Sequence, residues 1–320
     1  MLSALSVPKD YLSVSSFTPE SLEHCLKLAA TVKRDRGRRR AAPTANALEG
    51  QHVALLFEKP SLRTRATFEV AIHELGGEVI APASNVIFGG REAPVDVARN
   101  LERWVTAAVV RTFNQEALQR FAEAAPRLHV VNALTDTEHP CQALADCLTL
   151  QEHLGSLRGR TLAYVGDGNN VATSLAQAAL LLGASVHIAS PAGHALPGDV
   201  EASCRKLAGH GATIRQFVDP REAVAGAHAI YTDVWTSMGQ EQHANARAAL
   251  FRPYQVNAAL MAAAPKGALF MHCLPAHRGD EVTDEVMDSP ASVVYDQAEN
   301  RLHTQKALLL MLLAPSQASC

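Results

Sequence analysis

The sequence predicts an α/β fold of two domains, each a parallel sheet flanked by helices, with helices linking the two. Three observations lead there. Strand-like apolar runs alternate with helical patterns nearly throughout, which is the signature of βα units. At 320 residues the chain exceeds the size that one hydrophobic core usually serves. The alternation also restarts near the middle, after a long helix.

In the first half HVALLF, from His52, reads as a strand. A helix from about Arg63 to Leu75 follows and stops at Gly76-Gly77. The helix VDVARNLERWV precedes a strand AAVVRTF, and LHVVNAL after Arg127 is a third strand. A long helix starts at Pro140, a residue suited to the first helical position, and runs to about His153. Beyond it strand TLAYVG feeds helix VATSLAQAALLLG, and SVHIAS, ATIRQF, AIYTDV, ALFMHCL and SVVYD read as further strands. A last helix begins near Asn300. Domains are therefore expected over 1–150 and 151–299, bridged by the helix at 140–153, with the C-terminal helix 300–320 packing back on the first.

Composition narrows the function classes. Hydrophobic residues make up 48% and charged residues 19%, which is ordinary for a globular protein and far from disorder. A formal net charge of -3 argues against a whole-chain polyanion binder. The basic run Lys33 to Arg40 (KRDRGRRR) lacks interleaved stacking aromatics and reads as a solvated helix end, so no nucleic-acid partner is expected. Six dispersed cysteines fit reduced thiols in the cytoplasm. The N-terminus lacks the pattern of a signal peptide. The longest apolar run, Ala307 to Ala314, is too short to span a bilayer.

Several motifs fall where strands meet helices, the edge of a parallel sheet that faces ligands. FEKPSLRTR, residues 57–65, opens a helix after a strand. Free N–H groups and the positive dipole end there, joined by Ser61, Arg63, Thr64 and Arg65, make a cradle for an anion such as phosphate. An ordinary Ser61 cap with surface arginines would look the same. Arg111 ends the next strand, as a ligand contact or as a solvated strand end. His139 and Gln142 flank a helix start and could both polarise one carbonyl oxygen.

In the second half Gly166-Asp-Gly-Asn-Asn-Val171 tempts a dinucleotide reading. Its third glycine position holds Val171, and the next strand ends Ile188-Ala189-Ser190 without the ribose-binding acid. Asn169 and Asn170 instead suit a small polar ligand such as an amino-acid carboxylate. Asp233, in DVWTSMG after a strand, offers a carboxylate to an amino group, with Ser237 nearby for a polar end. Cys273, in MHCLP, reads as a core thiol, a nucleophile or a metal ligand. A zinc site from His139, Cys141, Cys273 and His277 lacks the usual ligand spacing, so no metal is expected.

Six motifs in order, FEKPSLRTR, EHPCQALADCLTL, GDGNN, DVWTSMGQE, HCLPAHRGDE and NRLHTQKALL, together resemble the ornithine carbamoyltransferase family over essentially the whole chain. SxRT and HPxQ are shared with aspartate carbamoyltransferases, whereas SMG and HCLP are similar to the ornithine enzymes. The resemblance implies a carbamoyl-phosphate domain followed by an ornithine domain, closing on one another, in a homotrimer or a multiple of trimers that needs no metal or organic cofactor. It assigns the phosphate to Ser61, Leu62, Arg63, Thr64 and Arg111. The carbamoyl group falls to His139, Gln142, the Cys273–Leu274 segment and Arg301, and ornithine to Asn170, Asp233, Ser237 and Met238. Among these Arg63, Arg111, His139, Asp233 and Cys273 carry the catalytic roles, with Cys273 holding the amine rather than acting as a covalent nucleophile.

The rival acceptors within this chemistry are aspartate, putrescine and an N-acylornithine. Two positions depart from the family pattern. Leu62 stands where the family often has Thr, which keeps the backbone donor and removes a hydroxyl. Ile87, before Phe88-Gly89, stands where a Gln or His is common, so help from a neighbouring subunit would fall to backbone N–H groups or Arg91.

Overall fold

The structure is a computed structural model that describes residues 6–82, 92–236 and 244–318. It divides into two compact units, residues 1–148 with 299–320, and residues 149–298. No helix of the described residues is long and apolar enough to cross a membrane.

The first unit opens with α1 (Pro19–Asp35), started by a reciprocal Thr18–Ser21 capping box with proline in the first turn. Its sheet comprises β1 (His52–Phe57), β2 (Glu78–Ile80), β3 (Ala107–Arg111) and β4 (His129–Leu134), in the order β2-β1-β3-β4 and parallel throughout. Helices α2 (Leu62–Glu74), α3 (Pro94–Leu101), α4 (Gln115–Ala124) and the start of α5 (Pro140–Leu154) complete the βα alternation. Strands buried on both faces read as unbroken apolar runs, and all five residues of β3 are buried. Alternate positions Ala54, Leu56, Ala108 and Val110 pack with Leu101, Leu118 and Phe121 in one core, as the two-residue period of a strand requires. The basic run is an exposed helix end in which Arg36 pairs with Glu74 and Arg38 with Asp35.

The second unit holds β5 (Thr161–Val165), β6 (Ser185–Ala189), β7 (Ile214–Phe217), β8 (Ala229–Thr232) and β9 (Leu269–His272), all parallel in the order β7-β6-β5-β8-β9. Helices α6 (Asn170–Leu181), α7 (Gly198–Leu207), α8 (Pro220–Val224), α9 (Ala244–Phe251), α10 (Ala258–Ala263) and α11 (Asp284–Met287) accompany them. The last helix, α12 (Val294–Leu313), returns the chain to the first unit, where Ala307 to Leu312 are all buried.

One expected strand is not there. SVVYD makes a single bridge, Ser292 to Phe270, before α12 begins at Val294. A short β-branched run has no period of its own, so it served equally as the buried start of a helix. The final helix therefore starts six residues before Asn300. VDVARNLERWV also stops early, its helix ending at Leu101.

Both sheets place a crevice where the strand order reverses. In the first unit the chain moves from β1 outward to β2 and then to β3 on the other side; in the second it moves from β5 to β6 and β7, then back to β8. The carboxyl ends of β1 and β3, and of β5 and β8, are thus the positions where ligands bind in such folds.

Candidate active site

In the first unit, α2 starts directly beyond β1, with Ser61 at its cap in extended conformation and no side-chain cap bond. Its hydroxyl is therefore not engaged in holding the helix. Leu62 is 81% exposed, an apolar side chain facing solvent at the mouth of a polar site. Arg63 is half-buried, whereas Arg65 lies along the helix and pairs with Glu69 at 2.8 Å. Thr64 is buried, and its Oγ1 accepts from Arg301 Nη2 at 2.7 Å. Arg301, itself buried on α12, also donates from Nη1 to Gln142 Oε1 at 2.6 Å. Gln142 in turn donates from Nε2 to Asp146 Oδ1 at 2.8 Å, one helical turn along α5.

Arg111 is buried at the end of β3, opposite Phe57 in register, and so is not the solvated strand end that sequence left open. His139 is buried just before α5. Burial first, then the charges of Arg301 and Arg111, holds its pKa well below the ordinary 6.5. It is a neutral imidazole that can donate one hydrogen bond without competing for the anion's charge. Two guanidinium groups, a neutral donor and a helix N-terminus thus converge on one sheet edge.

Lys59, which carried no distinguishing signal in the sequence, is buried, pairs with Asp136 at 2.6 Å and lies 3.9 Å from the Phe113 ring centroid. Cys141 is a buried thiol bonded to the Asn132 carbonyl, and burial pushes its pKa up to about 12. It is an inert core residue rather than a nucleophile.

In the second unit, Asn169 caps α6. Its Oδ1 accepts from the N–H groups of Val171 and Ala172 and from the Tyr164 hydroxyl. Those three donors fix the amide, so Nδ2 points to Asp233 Oδ2 at 2.8 Å. Asp233 is buried at the end of β8, and its Oδ1 accepts from Cys273 Sγ at 2.9 Å and from the Val234 N–H at 2.8 Å. Asn170 is the first residue of α6 and half-buried. Ser237 and Met238 lie outside the described residues, as do Ile87, Phe88, Gly89 and Arg91.

Asp233, His272 and Cys273 bring their side-chain ligand atoms within 4.8 Å of one another. They are wired as hydrogen bonds. His272 Nδ1 accepts from the Leu274 N–H at 2.8 Å, so Nε2 carries the proton and donates to Glu281 Oε1 at 3.2 Å. Both His272 and Glu281 are fully buried. They hold the segment that presents Cys273 and Leu274, the latter at φ +58. Neither His272 nor Glu281 stood out in the sequence, since the pairing spans nine residues outside any regular period.

Gly168 lets the loop before α6 close against the next connection. A Cβ there would lie 2.5 Å from the Leu196 nitrogen and 2.6 Å from the Ala195 carbonyl carbon, both backbone atoms that cannot yield cheaply. Gly168→Ala is expected to cost about 1–3 kcal/mol, the usual range for overpacking. A thermal or denaturant melt within about 0.5 kcal/mol of wild type would contradict this.

Two family models match the chain. The one described as aspartate/ornithine carbamoyltransferase, carbamoyl-P binding domain, matches residues 9–152, and the one described as aspartate/ornithine carbamoyltransferase, Asp/Orn binding domain, matches residues 158–312. The chain is 49% identical over 314 residues to an ornithine carbamoyltransferase of Rhodococcus opacus, covering 97% of each chain. To that of Thermosynechococcus vestitus it is 48% identical over 308 residues, 95% of this chain and 96% of the other. Among solved structures, ornithine carbamoyltransferase from Pyrococcus furiosus matches with TM-score 0.90 at 43% identity, over 95% of this chain and 96% of that one. The Thermus thermophilus enzyme matches with TM-score 0.86 at 44% identity, over 96% and 100%.

Proposed function

The chain belongs to the aspartate/ornithine carbamoyltransferase family, and from that premise we propose which of its residues hold each substrate. It transfers the carbamoyl group of carbamoyl phosphate to the side-chain amine of L-ornithine, giving L-citrulline and phosphate. The observation that carries the choice of ornithine is the near-half identity, over at least 95% of the chain, to enzymes named for that acceptor. Asp233 supplies the physical reason: an anion there attracts the ammonium group of ornithine and repels the second carboxylate of aspartate.

In the proposed assignment the N–H groups at the start of α2, from Ser61 and Leu62 onward, with Arg63, Thr64 and Arg111, hold the phosphate. His139 donates to the carbamoyl oxygen, and Gln142 and Arg301 frame the carbamoyl group. Asn170, Asp233, Ser237 and Met238 hold ornithine, and Cys273 supports its amine. The uncharged amine attacks the carbamoyl carbon and the C=O electron pair moves onto oxygen. The resulting oxyanion collapses as the carbon–oxygen bond to phosphate breaks. The leaving phosphate takes the proton released from nitrogen, so no separate base is needed. Preorganised donors aimed at such an oxyanion are commonly worth ~10²–10³ in rate each. The same reading places the enzyme in arginine metabolism in the cytoplasm, assembled as a homotrimer or a multiple of trimers.

The test is to supply carbamoyl phosphate with ornithine, aspartate, putrescine or N-acetylornithine and detect the carbamoylated product. Citrulline is expected to dominate, and equal use of aspartate would overturn the reading. Only the neutral amine attacks, and its unperturbed pKa is near that of lysine, about 10.4. At subsaturating ornithine the rate is therefore expected to climb with pH through the alkaline range. A flat profile there would mean that amine deprotonation does not govern the step.

A further inference from the structure

We infer that Asp146 is a positioning residue that sets the direction of the hydrogen bonds running through Gln142 and Arg301 to Thr64, leaving the Thr64 hydroxyl as a donor to the bound anion. The inference rests on the reading of the first unit as the carbamoyl-phosphate site.

Asp146 is fully buried on α5, four residues beyond Gln142, a spacing that stacks two side chains on one helix face. A carboxylate only accepts hydrogen bonds, so its contact with Gln142 pins the amide nitrogen toward Asp146 and turns the amide oxygen the other way. That oxygen meets Arg301 Nη1. Arg301 can only donate, so Thr64 Oγ1 must be the acceptor of the bond from Nη2. A hydroxyl that accepts from a guanidinium has its own hydrogen left to give. Thr64 stands in the first turn of α2, where unbonded backbone N–H groups already gather. The direction of each bond therefore follows from the groups at the ends, an obligate acceptor and an obligate donor.

Without the carboxylate, the Gln142 amide is free to turn its NH2 toward Arg301. Donor would then face donor, the guanidinium would lose its seat, and Thr64 would lose the bond that orients it.

The experiment is a double-mutant cycle on the full-length enzyme. It uses wild type, Asp146→Ala, Asp146→Asn, Gln142→Ala and the two double variants, with KM for each substrate measured separately. Asp146→Ala is expected to lower kcat/KM for carbamoyl phosphate roughly 10- to 100-fold, as removal of an orienting partner behind a ligand contact typically does. The KM for ornithine should stay within about twofold, and Asp146→Asn, which retains an acceptor oxygen, should recover part of the loss. In the Gln142→Ala background either change at Asp146 should add less than about threefold, because its effect passes through that side chain. Losses that multiply in the double variants, or an ornithine KM that rises as much as that for carbamoyl phosphate, would overturn the assignment. If Asp146→Ala does not fold, the isosteric Asp146→Asn carries the same cycle. Citrulline formation by wild type is the separate control. Its absence would reject the substrate reading, whereas in its presence the cycle alone decides the role of Asp146.

Discussion

Arg63→Ala is expected to lower kcat/KM for carbamoyl phosphate by roughly 10²- to 10³-fold, the loss typical of one preorganised donor, with little change in stability. Arg63 occupies the second position of α2 and is half-buried. Among the described residues its side chain makes no ion pair, unlike Arg65, which is engaged by Glu69, and Arg301, which is engaged by Thr64 and Gln142. Removing it breaks no bond that holds the fold, and alanine is the best helix former at the vacated position. In the proposed assignment that charge serves the phosphate rather than the scaffold. A melt within about 0.5 kcal/mol of wild type should therefore accompany the kinetic loss. Arg65→Ala is the contrast: an exposed i, i+4 pair is worth only about 0.3–0.5 kcal/mol, and its kinetic cost should be far smaller. Turnover of Arg63→Ala close to wild type would remove Arg63 from the site.

How much of this was readable in advance depends on the length scale of each interaction. Strands β1, β3, β5 and β8 were readable because parallel strands buried on both faces appear as nearly unbroken apolar runs, as in HVALLF. The three-residue β2 was not, since Glu78 and Ile80 are exposed edge positions without such a run. SVVYD was misread because a short apolar stretch looks alike in a strand and at the start of a buried helix. Within the candidate site, the residues at strand ends stood out by position: Ser61 to Thr64 after β1, Arg111 on β3, Asp233 after β8. What could not be read was which of them touch. The bonds joining Thr64, Gln142 and Arg301 connect positions 159 and 237 residues apart, and no local period encodes that. Asp146 carried a weak signal, its i, i+4 spacing from Gln142, visible only once the orientation of α5 is known. Likewise Asn169 was one of a pair of asparagines. Its capping of α6 and its bond to Asp233 distinguish it from Asn170, which lies at the helix start.

Asp233→Asn is expected to cut kcat/KM for ornithine by roughly 10²-fold or more, with carbamoyl-phosphate affinity kept within about threefold. The side chain is 8% exposed and surrounded by donors. Asn169 Nδ2 reaches one oxygen, and Cys273 Sγ and the Val234 N–H reach the other. Only a carboxylate accepts on both sides. Asparagine keeps the shape, yet either orientation of its amide turns an NH2 group onto an N–H donor, that of Asn169 in one case and that of Val234 in the other. Asn169 cannot rotate to relieve the conflict, because its own oxygen holds the first N–H groups of α6 and the Tyr164 hydroxyl. The substitution thus removes the charge that, in the proposed assignment, pairs with the ammonium of ornithine, and it leaves one buried donor unsatisfied. A hydrogen bond to a charged group contributes about 1.5–3 kcal/mol, and an orphaned buried donor costs about 1–3 kcal/mol. The first loss falls on ornithine binding, the second partly on stability, so calorimetric binding of carbamoyl phosphate and a thermal melt must accompany the kinetics. A variant that folds, still binds carbamoyl phosphate and yet uses ornithine within about threefold of wild type would show that Asp233 is a scaffold group. The collapse of ornithine use alone would establish it as the acceptor's anchor.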